Sequence, residues 1–488
     1  MTDAPPTLAS TTLPVLVADL DHSLIASDLL HETFWSTVAQ SWAAPFRALA
    51  ALSRGRSQLK AMLAENAHIE VESLPYSPEV IALLRDWRAR GGKTVLATAS
   101  DARLAEAVAA HLGLFDEVHA TRPGHNLKGE AKAKLLVDLY GEGGFDYIGD
   151  SRADLKVWRR ARRAITVGAP ADLRAEAERG TATHGVPALH LPAPAERGGR
   201  AILKAVRPHQ WLKNLLIFLP LLAAHDLRPE SLIPALWGFV AFSLIASSVY
   251  LLNDLLDLSA DRAHPRKRLR PFASGTMRIE TGTYLMPLLL MTGLGLGWLV
   301  GPMFALSLGI YYLLTLAYSL ELKRRSIIDI CALAVLYTLR VVAGGAATGI
   351  PISVWLLAFS LFFFFSLASV KRQAELVDGV KSGRTKVSGR DYLTDDLPII
   401  SMLAITSGFV SVLVMALYVT SDQVTTYYSA PEMLWAICLV LLYWISRVVL
   451  ITHRGGMHDD PVIFAAKDTN SRFCAVAILG FGLAGSLL

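Results

Sequence analysis

Asn253-Asp254-Leu-Leu-Asp257-Leu-Ser-Ala-Asp261-Arg262 closes a long apolar run and leads into Ala-His-Pro-Arg266-Lys267-Arg268-Leu-Arg270-Pro. If the helix that begins near residue 231 continues this far, the spacing i, i+3, i+7 puts the carboxylates of Asp254, Asp257 and Asp261 on one face. Three carboxylates side by side repel, so a cation belongs among them. All-oxygen donors suit Mg²⁺, and a Mg²⁺ holding a diphosphate is the natural occupant. Carboxylates at a bilayer edge are costly to keep, which points to function rather than to a solvated helix end.

Working outward, the 53% hydrophobic and 18% charged composition conceals two unlike halves. Residues 1–200 are rich in Ala, Arg and Asp, whereas 201–488 is a succession of apolar runs. One soluble and one membrane domain are expected. A net charge of +5 is too small to argue for nucleic acid. The three cysteines, Cys331, Cys438 and Cys474, lie in or beside apolar segments and form no disulfide or zinc pattern. The first residues show no basic and apolar leader, so no cleaved signal is expected and the soluble part should stay in the cytoplasm.

In the soluble part, Leu-Pro-Val-Leu-Val-Ala-Asp19-Leu-Asp21-His-Ser23 is an apolar run of strand length that delivers two acids at its carboxyl end. Further strands are expected at Lys93 to Ser100, from Phe145 into Gly149-Asp150-Ser-Arg-Ala-Asp154, and at Arg163 to Gly168, with helical patterns between them. The alternation predicts an α/β doubly wound sheet with its site at the carboxyl edge. Residues 27–85 are largely helical by pattern.

Asp19-Leu-Asp21, Thr98, Lys128 and Gly149-Asp150-x-x-x-Asp154 resemble the four motifs of haloacid-dehalogenase-superfamily phosphatases, over residues 13 to about 170. The resemblance implies an aspartyl-phosphate formed on Asp19, general acid and base work by Asp21, and phosphoryl binding by Thr98. It also implies charge neutralisation by Lys128, Mg²⁺ on Asp19, Asp150 and Asp154, and a helical cap near 27–85. Lys132 competes with Lys128, and the spacing to Asp150 favours Lys128. A carboxylate attacks a phosphate dianion only when cations cancel the repulsion.

Residues 1–186 are therefore read as a phosphatase-like domain. Residues 187–206 are read as a Pro/Gly/Ala-rich linker followed by an interfacial helix, and 207–488 as the membrane domain. Nine transmembrane helices are expected, near 211–225, 231–253, 283–300, 302–320, 328–349, 353–370, 398–420, 431–452 and 474–488. Basic residues crowd the loops after the even-numbered spans, which the positive-inside rule assigns to the cytoplasmic face of the plasma membrane, with the carboxyl terminus outside. Asp329, Asp459, Asp460 and Asp468 share that side. Arg340, about three turns into the fifth span, needs a partner and is read either as a structural ion pair or as a ligand for substrate phosphate.

Asn253-Asp254-x-x-Asp257-x-x-x-Asp261, the nine spans, and the loop from Tyr318-Ser-Leu-Glu-Leu-Lys323 to Asp329 resemble UbiA-type intramembrane prenyltransferases. The second motif departs from the usual carboxylate pair, because only Asp329 stands where two aspartates are common. The likeness is closer to decaprenyl-phosphate phosphoribosyltransferases, through Trp211-Leu-Lys213-Asn214, Arg340-Val-Val-Ala-Gly-Gly, Lys371-Arg-Gln-Ala-Glu-Leu and Asp459-Asp-Pro-Val. It implies transfer of 5-phosphoribose from phosphoribosyl diphosphate to a polyprenyl phosphate in the membrane. Asp254 and Asp257 are then the catalytic pair. Mg²⁺ sits on Asp254, Asp257, Asp261 and Asp329, and Asn253, Arg262, Arg270, Tyr318, Lys213, Lys323, Arg340 and Lys371 contact substrate. The phosphatase-like domain would remove the 5-phosphate. Aromatic prenylation with an allylic diphosphate, or a transporter or membrane scaffold with a regulatory domain, are the competing readings.

Overall fold

A computed structural model of the chain describes residues 13–181, 186–193, 198–386, 390–422, 424–426, 428–457 and 460–487. Asp459 lies outside them. The apolar run from Val15 forms β1 (Val15–Ala18). β2 (Thr94–Asp101), β3 (Glu117–Thr121), β4 (Phe145–Gly149), β5 (Arg163–Val167) and β6 (Leu189–Leu191) join it in a parallel sheet of order β3-β2-β1-β4-β5-β6. Between β1 and β2 lie α1 (Leu29–Gln40), α2 (Ala44–Leu52), α3 (Arg56–Asn66) and α4 (Pro78–Ala89). α5 (Ala102–Leu112), α6 (Glu130–Tyr140), α7 (Leu155–Trp158) and α8 (Ala171–Thr181) follow.

β1 is apolar without interruption because both its faces are covered. Leu16 and Ala18 pack with Val80 and Leu84 of α4 and Val108 of α5, while Val17 packs with Leu136 of α6, Trp158 and Leu173 on the opposite face. The sheet is the expected doubly wound one, and it corrects two boundaries. Residues 189–191, assigned above to the linker, are an edge strand in which Leu189 pairs with Ile165. The cap does not extend to residue 85. α4 buries Val80, Leu84 and Trp87, whose indole donates to the Pro14 carbonyl at 3.1 Å, so it belongs to the sheet's own helical layer. A helix, α9 (Gly199–Val206), stands where the interfacial helix was expected.

The chain divides into two compact units, Met1–Ala205 with Leu251–Leu285, and Val206–Tyr250 with Met286–Leu488. The acidic stretch Asn253–Arg262 therefore falls in the same compact unit as the parallel sheet, although it lies within the range read above as the membrane domain. The contacts are specific. Arg262 donates to both Glu32 oxygens, at 3.1 and 2.5 Å, with the two side chains 5% and 2% exposed. Trp35 donates to Thr283 at 2.8 Å, and His22 meets Glu280 at 2.7 Å. Arg262 is thus an anchor for α1 and not the substrate cation the sequence suggested. Its charge is consumed by a carboxylate 230 residues away.

Among the described residues eight helices are long and apolar enough to cross a membrane: Pro229–Leu256, Ile279–Val300, Pro302–Leu320, Ile328–Thr348, Val354–Lys381, Thr394–Val419, Pro431–His453 and Thr469–Leu487. Exposed side chains such as Trp298, Leu299, Met402 and Leu439 are what a lipid-facing surface carries. The ninth expected span, 211–225, is instead an eleven-residue 3-10 stretch, Pro208–Phe218, continued by the short helix Leu219–Ala223. Pro220 has no N–H to give an α-helical hydrogen bond to a carbonyl upstream. In the second unit, Gly344 explains part of the Gly-Gly motif. A Cβ there would stand 2.2 Å from the Ile217 carbonyl oxygen, so only glycine lets the 3-10 stretch lie against helix Ile328–Thr348.

Removing one member of a buried ion pair leaves the other charged and unsolvated. Arg262→Met is therefore expected to destabilise the unit containing the soluble fold by about 3–5 kcal/mol. Most of this should be recovered in Arg262→Met with Glu32→Gln, as read from thermal unfolding of the purified chain. Equal stability of wild type and Arg262→Met would show that the pair does not form.

Candidate active sites

The parallel sheet delivers the carboxyl ends of β1, β2 and β4 to one edge. Asp19 follows β1 directly, its N–H donating to the Ile148 carbonyl at 3.0 Å and its Oδ1 accepting from Leu20 N at 2.8 Å. Lys132, one turn into α6 and buried, holds its ammonium 3.0 Å from Asp19 Oδ2 and 2.8 Å from the Tyr147 hydroxyl. Tyr147 in turn donates to Asp154 at 2.9 Å. This corrects the choice of Lys128, which is exposed just before Gly129 at the start of α6. The two lysines are four residues apart, and only the fold turns Lys132 inward.

Asp21 accepts from Leu29 N at 2.8 Å and from the Ser100 hydroxyl at 2.6 Å. Thr98, fully buried, accepts from Ser100 N at 3.0 Å. Ser100 escaped the sequence reading, although it shares a strand face with Thr98. Lys60 of α3 escaped too. Its ammonium reaches from the cap to the Ala99 carbonyl at 2.5 Å and to Asn126 at 3.3 Å.

Asp154 is not a free metal ligand. Its Oδ2 accepts from Asp150 N, Ser151 N and the Ser151 hydroxyl at 3.2, 3.0 and 2.9 Å. It shapes the turn that presents Asp150, and Gly149 leaves room for it, since a Cβ there would sit 2.8 Å from the Asp154 carboxyl carbon. Burial pushes the Asp150 carboxyl up to about 7, reinforced by the Asp154 charge. Burial also raises Asp19 against the pull of Lys132, and with the Asp28 charge it raises Asp21 to about 7. A buried edge of carboxyls that resist ionisation is short of positive charge, so Asp19 and Asp150 fit a divalent cation. Arg278 from the 251–285 segment already stands 3.5 Å from Asp150.

In the same unit, the long helix ends at Leu256 and resumes as Leu258–Ala263 with Asp257 at its N-cap, so the three acids are not on one unbroken helical face. Asp254 and Asp261 nonetheless converge. Both meet one Arg270 nitrogen, at 3.1 and 2.6 Å, and both side chains are 2% exposed. Arg270 is thus a counter-ion to the cluster. Asp261 Oδ1 is buried with no hydrogen-bond partner among the described residues, and burial raises this carboxyl against the pull of Arg270. An oxygen left without a donor beside the Asp254 carboxylate fits Mg²⁺. Half-buried Asn253 accepts from Asp257 N through its carbonyl at 2.9 Å.

The second unit gathers cations around another acid. Lys213 and Lys371 lie 2.7 and 3.4 Å from Asp460 Oδ2, and the Tyr337 hydroxyl lies 3.2 Å from Oδ1. Although burial opposes ionisation, the two lysines hold the Asp460 carboxyl well below the usual carboxylate range. Arg340 is committed to structure. It donates to Asn214 (3.0 Å), the Leu336 carbonyl (2.6 Å) and the Tyr311 hydroxyl (3.0 Å), and faces the rings of Phe242, Tyr311 and Tyr337. It is neither an ion pair nor a free phosphate ligand.

Asp329 is also corrected as a metal ligand. Fully buried, it takes Arg372 at 2.6 Å, the Tyr392 hydroxyl at 2.6 Å and Arg390 at 3.4 Å, so its lone pairs are spent. Arg390 also donates to Tyr318 at 3.4 Å and to the carbonyl of half-buried Lys323 at 3.2 Å, drawing both into this structural network.

Comparison with known proteins yields two family matches: the UbiA prenyltransferase family over residues 214–459 and a haloacid dehalogenase-like hydrolase over residues 16–159. The chain is 36% identical to the uncharacterized protein y4nM of Sinorhizobium fredii over 95% of its own length and 89% of the relative's. It is 38% identical to the nodulation protein NoeC of Azorhizobium caulinodans, over 57% of this chain and 90% of that one. It is 31% identical to the decaprenyl-phosphate phosphoribosyltransferase of Mycolicibacterium smegmatis, again over 57% of this chain and 90% of that one.

The weakened acidity of Asp21 and Asp150 has a signed consequence. A carboxyl near 7 in the fold and near 3.8 when unfolded stabilises the fold fully below the lower value and loses that contribution as pH rises through about 7. Without divalent cations, thermal unfolding of the unit holding Asp21 and Asp150 should therefore come at a lower temperature at pH 8 than at pH 5. Added Mg²⁺ should narrow the gap. A midpoint that rises over that interval would contradict the burial assigned to these acids.

Proposed function

Because the chain belongs to the UbiA prenyltransferase family, is related to decaprenyl-phosphate phosphoribosyltransferases and carries a haloacid dehalogenase-like domain, we propose that it catalyses two consecutive steps. The first transfers 5-phosphoribose from phosphoribosyl diphosphate to a polyprenyl phosphate. An oxygen of the lipid phosphate bonds to C1 of the ribose as the C1–O bond to diphosphate breaks. The second hydrolyses the 5-phosphomonoester of that product to polyprenyl-phosphoryl-ribose and orthophosphate.

The observation that carries the first step is the fate of Asp329. A two-metal allylic-diphosphate site needs a second carboxylate set, and here its one aspartate is neutralised by Arg372 and Arg390. What remains is one acidic cluster, Asp254, Asp257 and Asp261, to hold Mg²⁺. The lysine pair Lys213 and Lys371 exceeds the charge of Asp460 by one and suits a substrate with additional phosphates. Bound Mg²⁺ would supply the charge that lets diphosphate leave.

For the second step, Lys132 offsets the repulsion between the Asp19 carboxylate and the phosphate. Asp21, with a carboxyl near 7, retains a proton to give to the departing ribose oxygen. The resulting aspartyl-phosphate on Asp19 is then hydrolysed by water.

The reading includes a sidedness. Met1–Ala205 and Leu251–Leu285 pack as one unit, so the chain between them crosses the bilayer an even number of times. Pro229–Leu256 supplies one crossing, and residues 208–223 supply the other. Eleven 3-10 residues at roughly 2.0 Å and five α-helical ones at roughly 1.5 Å span about 30 Å, the hydrocarbon thickness. Counting residues 208–223 with the eight long helices gives nine crossings, and the basic loops after the even-numbered ones then put the soluble fold and the acidic cluster on the cytoplasmic side and the carboxyl terminus outside.

Membranes containing the chain, given labelled phosphoribosyl diphosphate and polyprenyl phosphate, should incorporate label into lipid. Asp254→Asn with Asp257→Asn should lower incorporation by about 100-fold or more. Asp19→Asn should leave incorporation intact, abolish orthophosphate release and let the 5-phosphorylated lipid accumulate. Turnover of an allylic diphosphate with an aromatic acceptor, and none with phosphoribosyl diphosphate, would sink the proposal.

A further inference from the structure

The cap helix α2 is turned inside out for a soluble protein. It buries its small residues, Ala44 and Ala48, and presents Phe46 and Leu49, each 69% exposed, beside Trp42 at 79% and Leu52 at 45%. Phe46 and Leu49, three residues apart, share one helical face, and Trp42 lies in the turn that leads into the helix. A helix packed in water shows the opposite arrangement. Charge is just as one-sided: between Glu32 and Glu65 there is no acid, whereas Arg47, Arg54, Arg56 and Lys60 are present. Lys60 turns inward to Ala99, and the three arginines are exposed.

From this pairing of an outward aromatic and aliphatic ridge with an acid-free basic rim, we propose that α2 seats the cap on an anionic lipid surface. Its apolar ridge enters the headgroup boundary and Arg47, Arg54 and Arg56 contact lipid phosphates. Trp and Phe favour that boundary, and polybasic segments are drawn to anionic leaflets. The occupant is bilayer because the unit holding α2 continues by covalent connection into helices Pro229–Leu256 and Ile279–Val300, so a lipid surface is always within tethered reach. Arg47 also donates to Ser41 at 2.6 Å at the head of the helix, keeping the guanidinium on the rim. A docked cap would bring its domain to a headgroup that cannot leave the membrane.

The full chain, with Cys331→Ser, would be reconstituted into liposomes of mixed neutral and anionic phospholipid. It would carry an environment-sensitive dye on Phe46→Cys, or on Glu142→Cys beyond the opposite edge of the sheet as a control. The Phe46 label should emit to the blue and be quenched by shallow spin-labelled lipid, and the control should do neither. Quenching should be lost in neutral liposomes and in the Arg47→Glu, Arg54→Glu, Arg56→Glu variant. A water-exposed emission at Phe46 would overturn the proposal. So would a blue-shifted emission that lipid spin labels do not quench, which would mean that a second protein surface covers the ridge. Neither reading depends on the phosphatase activity proposed above. In a separate assay, Trp42→Ser with Phe46→Ser should slow hydrolysis of a lipid-linked phosphomonoester and leave a small water-soluble one unchanged.

Discussion

Buried carboxylates and the cations that neutralise them organise this protein. An isolated buried charge costs several kcal/mol, and a misplaced partner does not repay it. Glu32 has Arg262, Asp19 has Lys132, Asp254 and Asp261 share Arg270, Asp329 has Arg372, and Asp460 has Lys213. Each pairing joins segments distant in the chain or fixes the turn that follows a helix, so the pairs act as registration points for the fold.

The pairs differ in how much acceptor capacity they leave, and that difference separates architecture from chemistry. Asp329 and Asp154 spend their lone pairs on several donors each and are held rigid. Asp261 keeps a buried oxygen without a donor, and burial raises Asp19 and Asp150 despite nearby cations. These under-satisfied groups are where a divalent ion lowers the free energy most. The same reasoning separates Arg340, enclosed by three rings and three acceptors, from Lys213 and Lys371, which together outweigh a single carboxylate.

The segment 251–285 falls within the UbiA family match yet packs in the same compact unit as the parallel sheet. It carries the acidic cluster typical of a membrane transferase, yet it supplies Arg262 to the cap helix, Glu280 to His22 and Arg278 to Asp150 of the phosphatase-like edge. The soluble fold is therefore not a module joined only by a linker. A loop of the membrane sequence is part of its packing.

Much of this was legible without coordinates. Apolar runs ending in acids announced β1 and β4, and the long apolar segments announced eight of nine expected spans, because burial on both faces of a strand or in lipid leaves an unbroken signature in composition. The positions of Asp19, Asp21, Asp150 and the Asp254 cluster at the ends of elements were legible too, because each follows an apolar run. Tertiary structure alone decided between Lys128 and Lys132, turned Arg262, Arg270 and Arg340 from substrate cations into structural ones, withdrew Asp329 and Asp154 from the metal, and drew 208–218 out into a 3-10 stretch. A charged side chain declares its sign in the sequence, but its partner is chosen by packing between residues hundreds of positions apart, and no local pattern encodes that distance.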